Sequence, residues 1–144
     1  MKNYKHILMA VELIDKTDAA IIKQGALMAE KFNADMVLVH AVEHIGGYGA
    51  YGMGVGVEVE QALLENAEKS LHDLGRRLNI PEQKLIARIG PAKFVILEEA
   101  ERLKIDLLVV GSHGRHGIRA LLGSTANAVL HGAKCDVLAV RLRE

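Results

Sequence analysis

A glycine-spaced segment in the last third of the chain has the residue types of an anion-binding corner. It spans residues 111–125 and follows residues 107–110, a continuous apolar run typical of a strand buried on both faces. A helix predicted to begin near Ser124 would present unpaired backbone N–H groups and the positive end of its dipole, and a preceding glycine lets a phosphate approach closely. Glycine spacing is a weak motif by itself, so a tight strand-to-helix connection that binds no ligand is the alternative.

Other reactive residue types lack the neighbours that chemistry needs. His113 and His116 lie in the glycine loop without helical presentation or further ligands, which argues against a metal site. We expect His40 to be packed or hydrogen-bonded at a strand end, and Cys135 to be a small buried residue rather than a reactive thiol. Because no catalytic constellation appears at diagnostic spacing, we expect a binding module with at most slow turnover.

The length and composition of the chain restrict the classes of protein to which it can belong. The chain has 144 residues, which predicts one domain over 1–144, and its 18 basic residues balance 18 acidic ones. A balanced charge and 3% aromatic residues argue against nucleic acid as a partner, and no apolar run approaches the roughly 18 residues that span a bilayer. Glu12 and Asp15 interrupt the first hydrophobic stretch, so we expect no secretory signal and a cytoplasmic location.

The hydrophobic pattern alternates between strands and helices along the chain. Strands are predicted at residues 6–11, 36–42, 84–89, 106–110 and 136–142. The first helix is predicted to be capped by Asp15 or Thr17, and later helices cover residues 58–78, a segment that starts at Pro91, and about 124–131. This α/β pattern predicts a five-stranded parallel open sheet with helices on both faces.

A strand order of 3-2-1-4-5 would place a ligand crevice between the first and fourth strands. Val11 and Glu12 would line one side, and Gly111 with its loop the other. Six glycines between residues 46 and 56 indicate a mobile loop, either a lid over the crevice that uses Tyr48, Tyr51 or Met53, or a disordered connector.

The last strand would lie at an edge of this sheet. It is apolar for its length, and an uncovered apolar edge invites pairing with another strand. We expect a homodimer that pairs these strands across a two-fold axis, although Arg141 and Arg143 offer the alternative of a blunted edge. The side chains of the predicted interface are Val137, Leu138, Val140 and Leu142.

Five stretches, taken in order, resemble the universal stress protein family. They are residues 5–12, 38–42, 106–111, the glycine loop, and 133–140, and they cover nearly the whole chain. The resemblance implies a Rossmann-like fold of the adenine nucleotide alpha-hydrolase type and usually a dimer. In one branch of the family it also implies ATP or another adenine nucleotide in the crevice, with Mg²⁺ accompanying it.

The nucleotide-binding branch carries a glycine, two residues, a glycine, nine residues, and a glycine followed by serine or threonine. Gly111, Gly114, Gly123 and Ser124 match these residue types, although eight residues rather than nine separate the second and third glycines. Glu12 stands where that branch typically has aspartate. The other branch, which does not hold nucleotide tightly, has a loop of similar length but typically lacks the glycines.

The resemblance also implies roles for individual residues. Val11, Ala41 and Val110 would contact the adenine, and Glu12 the ribose or the base edge. Gly111 and Gly114 would lie along the phosphates, with Gly123, Ser124 and Thr125 around the distal phosphates. The positive charges of Arg115 and Arg119, which are no part of the resemblance, would add contacts to the phosphates. We therefore expect a stress-response protein that binds an adenine nucleotide. The alternative is a dimer of the same fold that acts through protein contacts without nucleotide.

Overall fold

The computed structural model describes residues 3–44, 55–112 and 124–142. Its strands are β1 (His6–Ala10), β2 (Asp35–Val42), β3 (Leu85–Ile89), β4 (Leu107–Gly111) and β5 (Asp136–Val140). Its α-helices are α1 (Asp15–Phe32), α2 (Val55–Leu78), α3 (Ala92–Arg102) and α4 (Ser124–Gly132), and a short 3-10 turn, Glu82–Lys84, precedes β3. Each predicted element is present, with ends that differ by up to three residues.

The strands form a parallel sheet in the order β3-β2-β1-β4-β5, which confirms the predicted fold class and strand order. The order reverses between β1 and β4, because β2 follows β1 on one side and β4 returns to pair with β1 on the other. The register pairs Met9 with Val109 across this boundary. The carboxyl ends of β1 and β4 therefore meet at the point where such sheets bind ligands.

Two apolar layers cover the sheet. One buried cluster joins alternate sheet residues to α1 and α2, and the other joins the intervening sheet residues to α3 and α4. Adjacent residues of a strand therefore enter different layers, as the period of two requires. In β1, Ile7 and Met9 belong to the α1 and α2 layer, whereas Leu8 belongs to the α3 and α4 layer.

The start of α1 differs from the prediction. Its N-cap residue is Ile14, which makes no side-chain cap hydrogen bond, so the predicted cap by Asp15 or Thr17 is wrong. The inward face of the helix carries Asp18, Ile21, Gly25 and Ala29. Gly25 is needed there, because a Cβ at this position would lie 2.8 Å from Cγ of the fully buried Met9.

The last strand lies at the sheet edge, as predicted, but ends at Val140 rather than at Leu142. Leu142 instead packs with Leu138 and Val140 in the α1 and α2 layer, and Val137 packs in the opposite layer. The side chains of the predicted dimer strand thus contact the protein's own core on both faces. Among the described residues, no helix is long and apolar enough to cross a membrane.

Candidate functional site

The carboxyl ends of β2, β1 and β4 bring five of the predicted site residues to one edge of the sheet. Val11 and Glu12 follow β1, Ala41 lies near the end of β2, and Val110 and Gly111 end β4. Ser124 and Thr125 begin α4, the helix that follows β4 in the chain. Gly114 and Gly123 lie outside the described residues, together with Arg115, Arg119 and the predicted lid side chains.

The apolar residues of this edge do not share one layer. Val11 is buried in the layer of α1 and α2, whereas Val110 is buried in the layer of α3 and α4, where Ala41 also packs. Since the layers lie on opposite faces of the sheet, a flat ring on this edge would meet Val110 and Ala41 from one side and Val11 from the other.

Backbone and side-chain hydrogen bonds fix the end of β1. The N–H of Val11 donates to the carbonyl oxygen of Val39 at 2.9 Å, which continues the parallel ladder by one residue. The carbonyl oxygen of Val11 lies 2.8 Å from Nδ1 of His40, so this ring nitrogen carries the proton and donates. His40 is therefore a hydrogen-bonded residue at a strand end, as predicted.

The loop between β1 and α1 wraps around the carboxylate of Asp18, a residue that was not predicted from the sequence. Asp18 is only 3% exposed, and its oxygens accept the backbone N–H groups of Glu12 and Leu13 at 2.8 Å and of Ile14 at 3.1 Å. Burial raises the pKa of Asp18, while these donors and the nearby His40 oppose the rise. Three successive N–H groups around one anion form a backbone nest.

Asp18 had one detectable signal in the sequence. It lies three residues before Ile21, seven before Gly25 and eleven before Ala29, which are all buried. This spacing places its carboxylate on the apolar stripe of α1, where an acidic side chain needs partners.

The end of β4 is held by side-chain packing and by a backbone hydrogen bond to the end of β5. A Cβ at Gly111 would lie 2.8 Å from Cδ1 of Leu142 and 3.3 Å from Cδ1 of Ile21, so a larger residue there would require the Leu142 side chain to shift. The N–H of Ser112 donates to the carbonyl oxygen of Val140 at 2.7 Å. Gly111 thus has a packing reason for its identity that is independent of any ligand.

The helix α4, which follows β4 in the chain, begins with two hydroxyl residues. Ser124 is exposed and Thr125 is half-buried, whereas Ala126 and Val129 are buried in the layer that α4 shares with α3. The first turn of a helix has backbone N–H groups without intrahelical partners. The start of α4 therefore offers hydroxyl and N–H donors to an anion.

A second concave surface lies near the opposite, amino end of β4. A groove of about 280 Å³ runs between α3 and α4, and Leu97, Lys104, Lys134 and Cys135 are among its lining residues. Cys135 is half-buried, less than the sequence predicted, and burial raises the pKa of its thiol. Across residues 3–44, 55–112 and 124–142, no three His, Cys, Asp or Glu side chains are grouped to hold a metal.

The fold and the position of this edge define a class. The five-stranded parallel sheet in the order 3-2-1-4-5 has the topology of the adenine nucleotide alpha-hydrolase-like fold, and solved structures of similar proteins share this fold. The universal stress protein UspA from Lactobacillus plantarum superposes with a TM-score of 0.83 at 23% identity, covering 98% of this chain and 100% of that one. A universal stress protein solved in complex with cAMP gives a TM-score of 0.60 at 23% identity, covering 99% and 100%.

Sequence comparison narrows the class to a family. The model of the universal stress protein family matches residues 3–141. The "Universal stress protein A homolog 2" of Coxiella burnetii is 51% identical over 144 residues, which cover 99% of each chain. The chain belongs to the universal stress protein family.

Proposed function

We propose that this protein binds ATP or a related adenine nucleotide at the carboxyl edge of β1 and β4 and acts as a nucleotide-dependent regulatory module of the stress response. The observation that carries the proposal is the meeting of Val11, Glu12 and Gly111 at the point where the strand order reverses, followed in the chain by the hydroxyl start of α4. The related fold solved with cAMP supports an adenine nucleotide as the ligand class.

The two sides of the crevice suit different parts of a nucleotide. Glu12 carries a carboxylate, which accepts hydrogen bonds from ribose hydroxyls or from the amino group of a base. Ser124 and Thr125 carry hydroxyls at a helix start, and these hydroxyls donate to phosphate oxygens. Mg²⁺ would accompany the phosphates. We therefore place the adenosine on the β1 side and the phosphates toward α4.

Binding rather than turnover is the proposed activity. His40 donates its Nδ1 proton to the carbonyl oxygen of Val11, and Asp18 accepts three backbone N–H groups, so both groups have structural partners. Any hydrolysis of ATP at this edge is accordingly slow.

Equilibrium binding of labelled ATP to the full chain, with cAMP as a competitor, tests the proposal. We expect saturable binding, and we expect Ser124→Ala to raise the Kd about tenfold, as the loss of one charge-assisted hydrogen bond would. Ser70→Ala is the matched control, because Ser70 is an exposed serine within α2. Folded protein that gives no saturable signal would remove nucleotide binding.

The alternative function is that of a dimer acting through protein contacts, and the edge position of β5 favours a dimer in either case. The carbonyl oxygen of Val140 faces β4, because it accepts the N–H of Ser112. Backbone groups alternate in direction along a strand, so the N–H groups of Val137 and Ala139 face the open edge. We propose that these outward groups pair with a second copy of the chain.

Ala139→Pro tests this dimer, because proline removes an outward N–H without removing a bond to β4. We expect the variant to sediment as a monomer while wild type and Ala139→Ser, which keeps the N–H, sediment as dimers. A monomeric wild type would overturn the dimer without bearing on nucleotide binding.

A further inference from the structure

The loop after β1 contains an anion site that the protein fills itself. The N–H groups of Glu12, Leu13 and Ile14 point at the two carboxylate oxygens of Asp18, with donor to acceptor distances of 2.8, 2.8 and 3.1 Å. Consecutive N–H groups in this arrangement bind phosphates in other proteins. Here a carboxylate from the first turns of α1 occupies them.

The conformation of the loop depends on that carboxylate. Leu13 has a φ of 64°, a left-handed backbone conformation that disfavours any residue other than glycine or asparagine. The conformation turns the N–H groups on both sides of Leu13 toward one point. The hydrogen bonds to Asp18 offset the strain, which accounts for a leucine at a left-handed position.

Two further contacts connect this loop to the neighbouring strands. His40 of β2 donates to the carbonyl oxygen of Val11, directly before the three N–H groups. One turn after Asp18, Ile21 packs next to the position that a Cβ of Gly111 would take in β4. The first turns of α1 thus link the ends of β1 and β4.

We propose that Asp18 is a positioning residue: its carboxylate serves as an internal anion that fills the N–H nest after β1 and holds Glu12 at the crevice. An external phosphate is thereby excluded from the β1 side. For a bound nucleotide this predicts an orientation in which Glu12 contacts the adenosine and the phosphates bind toward α4. That orientation rests on the proposed nucleotide binding.

Rescue by a small carboxylate tests the internal anion without any nucleotide. Asp18→Ala empties the nest, so we expect a lower Tm that sodium formate restores saturably and sodium chloride at equal ionic strength does not. Asp15→Ala is the matched control, because Asp15 is an exposed acid in the same first turn of α1. Formate that has no effect on Asp18→Ala, or an equal effect on both variants, would overturn the internal anion.

Amide hydrogen exchange keeps the inference testable if Asp18→Ala does not fold. In the wild type we expect protected amides at Glu12, Leu13 and Ile14, and in Asp18→Asn a loss of protection confined to these three. Rapid exchange of all three amides in the wild type would contradict the proposal.

Labelled ATP then separates the two proposals. We expect Asp18→Asn to raise the Kd for ATP about tenfold through displacement of Glu12, whereas Asp15→Asn leaves it unchanged. If wild type does not bind ATP but formate rescue succeeds, nucleotide binding fails and the internal anion stands. If wild type binds and Asp18→Asn binds equally well, the positioning role fails.

Discussion

Two buried carboxylates on opposite faces of the sheet show that hydrogen-bonding partners, rather than burial alone, decide whether the pKa of an acid is raised or lowered. Asp18 on α1 is 3% exposed and Glu99 on α3 is 4% exposed. Asp18 accepts backbone N–H groups, as described above, whereas Glu99 accepts hydrogen bonds from Arg88 of β3 at 2.8 Å and from Nε of Arg102 at 3.0 Å.

The pKa values of the two groups move in opposite directions. Burial raises the pKa of Asp18, and neutral N–H dipoles do not reverse that rise. Burial also acts to raise the pKa of Glu99, but the hydrogen bonds and charges of Arg102 and Arg88 outweigh it and lower the pKa. The two positive charges therefore lower the pKa of a buried carboxyl group, whereas three N–H dipoles do not.

The largest expected effect comes from Glu99→Gln. The substitution leaves two guanidinium groups without their buried carboxylate, so we expect a loss of about 3 kcal/mol in the free energy of unfolding at pH 7. Because the folded pKa is lowered, the wild-type advantage is full above the ordinary carboxyl pKa of about 4.3 and disappears as the pH falls through the folded value. Urea unfolding between pH 7 and pH 3 measures the difference in the free energy of unfolding between wild type and variant. A difference that grows toward pH 3 would refute this account.

Asp18→Asn should have a smaller effect and the opposite pH dependence. The amide retains one acceptor oxygen but turns a donor toward the N–H groups, so we expect a loss of about 2 kcal/mol. Because the folded pKa is raised, the contribution of this carboxyl is full below its unfolded pKa and declines as the pH rises through the folded value. The gap between wild type and variant should therefore grow as the pH falls in the same urea series. Parallel pH profiles for the two variants would show that the comparison is wrong.

The smallest effects are expected from substitutions of the two arginines that bind Glu99, and the two substitutions should differ in size. The Arg88 side chain is 37% exposed and joins β3 to α3, whereas that of Arg102 is 61% exposed and lies one turn from Glu99 on the same helix. We expect Arg88→Met to cost about 1 kcal/mol and Arg102→Met to cost less, because water and salt screen the more exposed guanidinium. Thermal unfolding at low and high salt measures both, and equal losses would mean that exposure does not decide the strength of the pair.

The fold was predictable because local patterns carry it. Continuous apolar runs such as residues 107–110 identify buried parallel strands, and the intervening amphipathic segments leave few topologies. The ends of elements were less accurate. Residues 141–142 continue the apolar pattern of β5, but β5 ends at Val140 and Leu142 turns to pack beside Gly111.

The meeting of the strand ends at the candidate site was predictable from the sequence, whereas the polar contacts around it were not. Strand order alone places Val11, Glu12 and Gly111 at one edge, so that much follows from topology. Asp18 was missed because an acid in the first turn of a helix ordinarily faces solvent and complements the dipole. The left-handed conformation of Leu13, which accompanies the three backbone donors around Asp18, is not signalled by a glycine or asparagine in the sequence.

Leu142 gives the edge strand a contact that bears on how assembly and ligand could communicate. It lies two residues beyond β5 and packs in the α1 and α2 layer beside Gly111 and near Ile21. A copy of the chain that pairs with β5 would therefore lie within two residues of a side chain that supports the floor of the crevice. In such a dimer, Leu142 would connect the subunit interface to the side chains that pack around Gly111.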